Sequence, residues 1–181
     1  ALAAAGLGAI AAGPAGPALA FEIYRDEQKP YVFKYPAGLQ KSESSQYETF
    51  FRDIVEPLEG VGVQTLPTQR ASLDEIGTPD EVASKLLGEV VPPKAPREII
   101  SVSSKKDSKG RRRDLIEYRY QWKFSDAQAT QVGRKRFQLH CKAMVTVSRG
   151  KQYLVVAAAE EDRWPVSGEN LAAATETFQL P

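Results

Sequence analysis

The side chains suited to imidazole or thiolate chemistry are one histidine and one cysteine, and they are adjacent, His140 and Cys141. On a strand, which the flanking alternation predicts, neighbouring side chains leave opposite faces and cannot work as a nucleophile and its base. The chain contains no G-x-S-x-G elbow, no G-x-x-x-x-G-K-S/T phosphate loop, no G-x-G-x-x-G and no H-E-x-x-H. It therefore lacks the sequence patterns for an activated serine, a phosphate cradle, a dinucleotide turn and a catalytic zinc. A single cysteine allows neither an internal disulfide nor a cysteine cluster for zinc or iron–sulfur. Cys141 falls on the apolar face of its strand and reads as a small core residue.

Carboxylates remain. Glu160, Glu161 and Asp162 are consecutive and offer oxygen to a hard cation such as calcium, but without the Asp/Asn ladder and glycine of a calcium loop. A solvated charge run that ends a strand is the simpler reading. His140 shares a polar face with Gln138 and Lys142. It is open to two readings, a structural hydrogen-bonding histidine or a pH-responsive contact. One imidazole does not make a metal site.

Charge is the other source of chemistry. Formal net charge is +1, which excludes a chain that seeks polyanions as a whole. Between Lys94 and Arg113, however, eight basic residues (Lys94, Arg97, Lys105, Lys106, Lys109, Arg111, Arg112, Arg113) face only Glu98 and Asp107, so the remainder is acidic. Without interleaved aromatics or a nucleic-acid motif, this segment predicts no nucleic-acid partner. Lys105, Lys106, Lys109, Arg111, Arg112 and Arg113 form instead a charged hairpin tip, which either docks on an acidic protein surface or stays solvated.

The elements that must position these residues centre on a hairpin, Phe137 to Ala159. In its first arm Phe137, Leu139, Cys141, Ala143, Val145 and Val147 alternate with more polar residues, which predicts one face against a core. After Arg149-Gly150 the return arm, Gln152 to Ala159, is apolar at nearly every position, as in a strand covered on both faces. Ile116, Tyr118, Tyr120, Trp122 and Phe124 share one face of a preceding strand. Further strands are predicted at Tyr31–Tyr35, Tyr47–Arg52, Val61–Leu66 and Glu98–Ser104. Ser72–Glu75 reads as one helical turn. Thr78-Pro79-Asp80-Glu81 opens a helix with a capping box, and Gly88 is expected to stop it. Val90–Pro96 is an extended connector, Ser125–Arg136 a polar loop, and Ser167 the cap of a closing helix in which Leu171, Ala174, Thr175 and Phe178 share a face. This order predicts an α+β fold, an antiparallel sheet with flanking helices.

At 181 residues and 42% hydrophobic content, the chain suffices for one domain with a single core. Residues 1–20 are uncharged, end in Ala18-Leu19-Ala20 and have no initiator Met. They read as the later half of an export signal in a chain that begins inside a precursor, with a low-complexity tail as the alternative. Their apolar run stops at Gly13-Pro14, short of a membrane span. Residues 21–30 read as an N-terminal arm and 31–181 as the domain.

Several ordered blocks in the chain carry a resemblance: Phe33-Lys34-Tyr35-Pro36-Ala37-Gly38, Phe51-Arg52-Asp53, Pro67–Gly77 followed by Thr78-Pro79-Asp80-Glu81, Gly150-Lys151-Gln152-Tyr153, and Asp162-Arg163-Trp164-Pro165 before a terminal helix. Together, from about Tyr31 to Leu180, they resemble the PsbP family. The resemblance implies a PsbP-like α/β/α sandwich in the thylakoid lumen of the chloroplast, without catalysis or cofactor, held at the membrane through protein partners. It implies docking on photosystem core subunits at the lumenal face, with photosystem II or its assembly and repair intermediates first. Assembly of photosystem I or of the NADH dehydrogenase-like complex is the alternative, and a small calcium-binding module built on Glu160–Asp162 and His140 is another. The candidate docking residues are then Lys105, Lys106, Lys109, Arg111, Arg112, Arg113 and His140. His140 matches a histidine frequent in the family at this strand, and Arg163-Trp164 match its arginine–tryptophan pair, with Trp164 expected to close the sheet edge and Arg163 to meet a carboxylate. Leu39 stands where the family often has Trp, and residues 21–30 do not resemble the longer arm of the oxygen-evolving subunit that helps retain calcium and chloride. These departures point to a PsbP-like or PsbP-domain auxiliary protein.

Overall fold

In the computed structural model, which describes residues 20–133 and 136–181, the predicted hairpin lies inside a seven-stranded antiparallel sheet. Its arms are β8 (Arg136–Ser148) and β9 (Lys151–Glu160), paired from Leu139 opposite Glu160 to Ser148 opposite Lys151. Arg149 and Gly150 both have positive φ, 51° and 72°, the backbone of a two-residue turn whose twist matches the flanking strands. Before them in the chain come β1 (Phe21–Arg25), β2 (Val32–Pro36), β3 (Gln40–Lys41), β4 (Thr49–Arg52), β5 (Gly60–Pro67), a single 3-10 turn at Leu73–Glu75, α1 (Pro79–Val90), β6 (Arg97–Lys106), β7 (Arg112–Lys123) and α2 (Asp126–Val132). After β9 comes α3 (Trp164–Thr177). The sheet order is β3-β4-β5-β9-β8-β7-β6, and β1 pairs only with β2. The expected α+β sandwich is the fold observed.

Both sheet faces are covered. On one, Val82, Leu86 and Leu87 of α1 and Leu73 pack on Ile116, Tyr118, Leu139, Cys141, Ala143, Val145, Leu154 and Val156. On the other, Leu171 and Ala174 of α3 with Phe178 pack on Met144, Tyr153, Val155 and Ala157. The β1–β2 hairpin extends this second layer through Tyr24, Tyr31, Phe33 and Tyr35, with Tyr35 stacked on Phe51 at 4.1 Å. β8 thus differs from its sequence reading. Its second face also carries buried residues, His140, Met144 and Thr146, because α3 covers what the alternation left to solvent.

Four local expectations are corrected. Residues 21–30 are not simply an arm, since Phe21–Arg25 forms β1, in register from Phe21 opposite Pro36 to Arg25 opposite Val32. α1 continues past Gly88 to Val90 and ends where Pro92 removes a donor and pushes Val91 out of the helical region, to ψ 132°. The expected polar loop after Ser125 contains α2. α3 begins three residues before Ser167, with Pro165 in its first turn; the Ser167 hydroxyl donates back to the Arg163 carbonyl at 3.3 Å instead of capping. The export signal expected over residues 1–20 lies, apart from Ala20, outside the described residues. Among those described, no helix is long and apolar enough to cross a membrane.

The capping box forms as its spacing dictates: Glu81 N–H donates to Thr78 Oγ1 at 3.3 Å, and Thr78 N–H to Glu81 Oε2 at 2.8 Å. Thr78→Ala is expected to cost about 1 kcal/mol of unfolding free energy in urea titration; an unchanged midpoint would show that packing alone fixes the start of α1.

Candidate docking surface

Six of the candidate docking residues sit where β6 turns into β7. The turn is made by Asp107, whose Oδ1 accepts from the backbone N–H of Lys109 at 2.8 Å and of Arg111 at 2.9 Å, and by Gly110 at φ 76°. Period-two geometry then sends Arg112 and Arg113 to opposite faces of the sheet. On the α1 side, Arg112 grips Asp114 with two bonds, Nε to Oδ1 at 2.9 Å and Nη2 to Oδ2 at 2.6 Å. Its Nη1 reaches Asp74 at 2.9 Å and the Gly77 carbonyl at 2.8 Å. Asp114 is 0% exposed, and its carboxylate holds the Arg112 guanidinium above its ordinary range. On the α3 side, Arg113 Nη2 donates to the Thr175 carbonyl at 2.7 Å, satisfying the last turn of the helix. Arg111 pairs with Asp107 at 2.6 Å and donates to Ser148 Oγ at 3.2 Å and to the Leu180 carbonyl at 2.9 Å. Lys105 meets Glu176 at 2.7 Å.

The three arginines are therefore internal ties, joining the hairpin to the 3-10 turn, the end of α3 and the C-terminal residues. Among the described residues, Lys106 and Lys109 have no carboxylate partner. The same end of the sheet carries three more such cations that the sequence reading passed over: Arg70, Arg149 and Lys151. Thr68 N–H donates to the Gly150 carbonyl at 2.9 Å, which brings the segment after β5 against the β8–β9 turn. Arg111, bonded to Ser148, joins the β6–β7 turn to the same group. The available signal was positional, since all three cations lie at or next to turns closing the same end of neighbouring strands.

His140 lies elsewhere, on the α3 side of β8. It is 7% exposed. Trp164 stacks on it at 4.2 Å with the rings 4° from parallel, and Gly168 passes so close beneath Trp164 that a Cβ there would collide with the indole. Nε2 is 2.7 Å from Glu117 and Nδ1 is 2.9 Å from Glu161. Both carboxylates can accept at once only from a ring bearing a proton on each nitrogen. Arg119 extends the chain, bonding Glu161 at 3.2 Å and Glu98 at 2.7 Å. Beside it Glu176 bridges Lys105 and Lys142, and Lys142 stands opposite Glu117 in the β7–β8 register. His140 is thus placed inside the molecule, apart from the basic end.

The acidic run after β9 is also engaged, through Glu161. Among the described residues, no group of three or more His, Cys, Asp or Glu side chains is arranged to hold a metal ion. Arg163 meets a carboxylate as expected, Glu59 at 2.7 Å. Trp164 covers the face of β8 over His140 and does not close a sheet edge. Burial pushes the Cys141 thiol up to about 12, which leaves it without thiolate character at neutral pH.

Comparison with known proteins places this geometry among relatives. The PsbP family model matches residues 19–180. PsbP-like protein 1, chloroplastic, of Arabidopsis thaliana is 27% identical over 160 residues, covering 88% of this chain, which spans 64% of that protein's length. CyanoP of Thermosynechococcus vestitus is 29% identical over 166 residues, 88% of this chain and 85% of that one. The solution structure of CyanoP from Synechocystis sp. PCC 6803 superposes with a TM-score of 0.67 at 22% identity, over 94% of this chain and 98% of that one; at that identity the likeness establishes the fold.

Arg112→Ala leaves a buried carboxylate unpaired, so a loss of about 3 kcal/mol in urea denaturation is expected. Lys106→Ala with Lys109→Ala should stay within about 0.5 kcal/mol of the parent. Equal losses would contradict this division between ties and free cations. Burial pushes the Glu176 carboxyl up, but its bonds to Lys105 and Lys142 outweigh it, and the group titrates below the ordinary range. Its ionised form therefore contributes stability above the unfolded-state value, and the contribution is lost as pH falls through the lower folded-state value. Glu176→Gln should be slightly less stable than the parent near neutrality, with the two melting curves converging below about pH 4.

Proposed function

Because the chain belongs to the PsbP family and has a chloroplast and a cyanobacterial relative, we propose that it is a non-enzymatic protein of the thylakoid lumen that docks on the lumenal face of a photosystem, photosystem II or one of its assembly and repair intermediates. One observation carries the docking reading. Arg70, Lys106, Lys109, Arg149 and Lys151 converge on one end without acidic partners among the described residues, while Asp74, Asp107 and Asp114 are each held by an arginine and Glu75 accepts from the Ala71 amide. The end thus presents net positive charge on a body that is otherwise mildly acidic.

Such a pole orients the molecule toward an acidic surface and raises the encounter rate, while shape complementarity sets the lifetime of the complex. The sheet behind it is stiff, since the turns bearing the cations are cross-linked by the Arg111 and Arg112 bonds. The absence of chemistry in this reading is supported by the state of the two candidate groups. Cys141 is a buried thiol, and both nitrogens of His140 face internal carboxylates.

Co-sedimentation with washed photosystem II membranes tests the proposal. Wild-type protein should bind at low salt and be released as ionic strength rises. Reversal of Arg70, Arg149 and Lys151 to Glu should weaken binding at least about tenfold without altering the thermal midpoint. Binding that ignores both salt and the reversals would overturn the basic end as the docking element. Binding to purified photosystem I alone would overturn photosystem II as the partner.

A further inference from the structure

The two edges of the seven-stranded sheet are unlike. One is β3, two residues long, and the other is β6, ten residues long. Among the described residues no strand lies beyond β6, and every residue in it except the half-buried Val102 is exposed; α1 touches one face of the strand, through Arg97 and Val102, and leaves its outer backbone edge open. Alternate backbone N–H and C=O groups along it face outward, a template for one more strand. Edge strands are commonly blunted by charge, and β6 has charge only at its ends, Arg97-Glu98 and Lys105-Lys106. The six residues between, Ile99 to Ser104, carry none.

A register shift sharpens the feature. Ile99 pairs with Tyr118 and Ser101 with Glu117, so Ile100 has no partner on β7. The bulge leaves two consecutive isoleucines in the open, 37% and 42% exposed. Along this edge Glu98 is held by Arg119 and Asp107 by Arg111, whereas Lys94, Lys106 and Lys109 have no acidic partner among the described residues. On the strand's C-terminal side the uncompensated charge is the pair Lys106 and Lys109, whereas at its start Lys94 lies three residues before the strand and the Arg97 guanidinium is turned to the Leu87 carbonyl of α1. A second copy of β6, paired antiparallel, would set Arg97 against Lys105 at both ends in one register, and in the next would set Arg97 against Lys106 with Glu98, already held by Arg119, against Lys105.

We propose that the β6 edge is a second docking site, which takes an extended acidic segment of a partner protein as an eighth, antiparallel strand. Main-chain bonds from Ile99 to Ser104 supply affinity. The Ile99-Ile100 step selects an apolar residue, and Lys106 with Lys109 selects carboxylates at the segment's N-terminal end, which antiparallel pairing places beside them. This inference goes beyond docking through the basic end and does not depend on which complex is bound there.

The test is amide hydrogen exchange of 15N-labelled protein with synthetic ten-residue peptides: Glu-Glu followed by alternating Val and Thr, the same composition with the acids last, and a version beginning Lys-Lys. The acid-first peptide should slow alternate amides between Ile99 and Ser104 by about tenfold or more. Ile100→Thr should weaken that protection, and Lys106→Glu should transfer preference to the Lys-Lys peptide. No protection by any peptide, or equal protection by the Lys-Lys peptide, overturns the proposal. Equal binding of the acid-last peptide overturns the orientation. Protection that rises with protein concentration alone makes a second copy the occupant and overturns the partner assigned here.

Discussion

The structure depends on burying both faces of the β8–β9 hairpin. Val155, Ala157 and Ala159 are fully buried on one side while Val156 and Leu154 are nearly so on the other, and no arrangement with a single covering layer satisfies both. One cover is local, the 3-10 turn and α1, which reach the sheet from the chain between β5 and β6. The other is assembled from the two ends of the described chain, the β1–β2 hairpin and α3, knitted by the Tyr31, Phe33 and Phe178 rings. The terminal elements are therefore core elements, and the main-chain bonds between Val32 and Gln179 at 3.0 and 2.8 Å join them directly.

Charge is distributed by the same logic. The eight basic residues between Lys94 and Arg113 look in sequence like one patch, but the sheet's alternation divides them. Arg112 neutralises the buried Asp114, Arg113 closes the end of α3, and Arg111 holds the C-terminal carbonyls. The planar, multi-donor guanidinium suits these roles better than an ammonium would. What remains for the surface is mostly lysine, supplemented by cations from other turns. On the sheet's α3 face Glu176 bridges Lys105 and Lys142, and His140 lies between Glu117 and Glu161 under the Trp164 ring.

Much of this was legible beforehand. Period-two patterns located β7 and β8, a nearly continuous apolar run after the Arg149-Gly150 turn located β9, and the Thr78–Glu81 spacing located α1 because capping is a short-range interaction. β1 escaped because Phe21-Glu22-Ile23-Tyr24-Arg25 buries only Tyr24, so its pattern is weak and its partner β2 decides its state. The fate of the arginines was illegible for a different reason. Asp114 is only two residues from Arg112, but its burial depends on the 3-10 turn and α1, and Asp74 and the carbonyls of Gly77, Thr175 and Leu180 come from segments that only the completed fold brings to the hairpin. His140 was correctly placed opposite the Cys141 face, but its burial follows from α3, whose start depends on Pro165 and Arg163 rather than on Ser167.

The pairing of β5 with β9 has a consequence for the order of assembly. β6 through β9 form a meander of successive neighbours, able to close turn by turn, whereas β5 finds its inner partner only in residues 151–160, some ninety positions later in the chain. Until those residues have been delivered, β3, β4 and β5 have no sheet to join, and the β1–β2 hairpin must wait longer still, for α3 and Gln179. A chain handed over from its N-terminal end therefore presents its aromatic first third, Tyr24 to Phe51, before anything exists to cover it. Long-range closure of this kind slows folding. The interval is a natural point for a chaperone or a translocation channel to hold the chain.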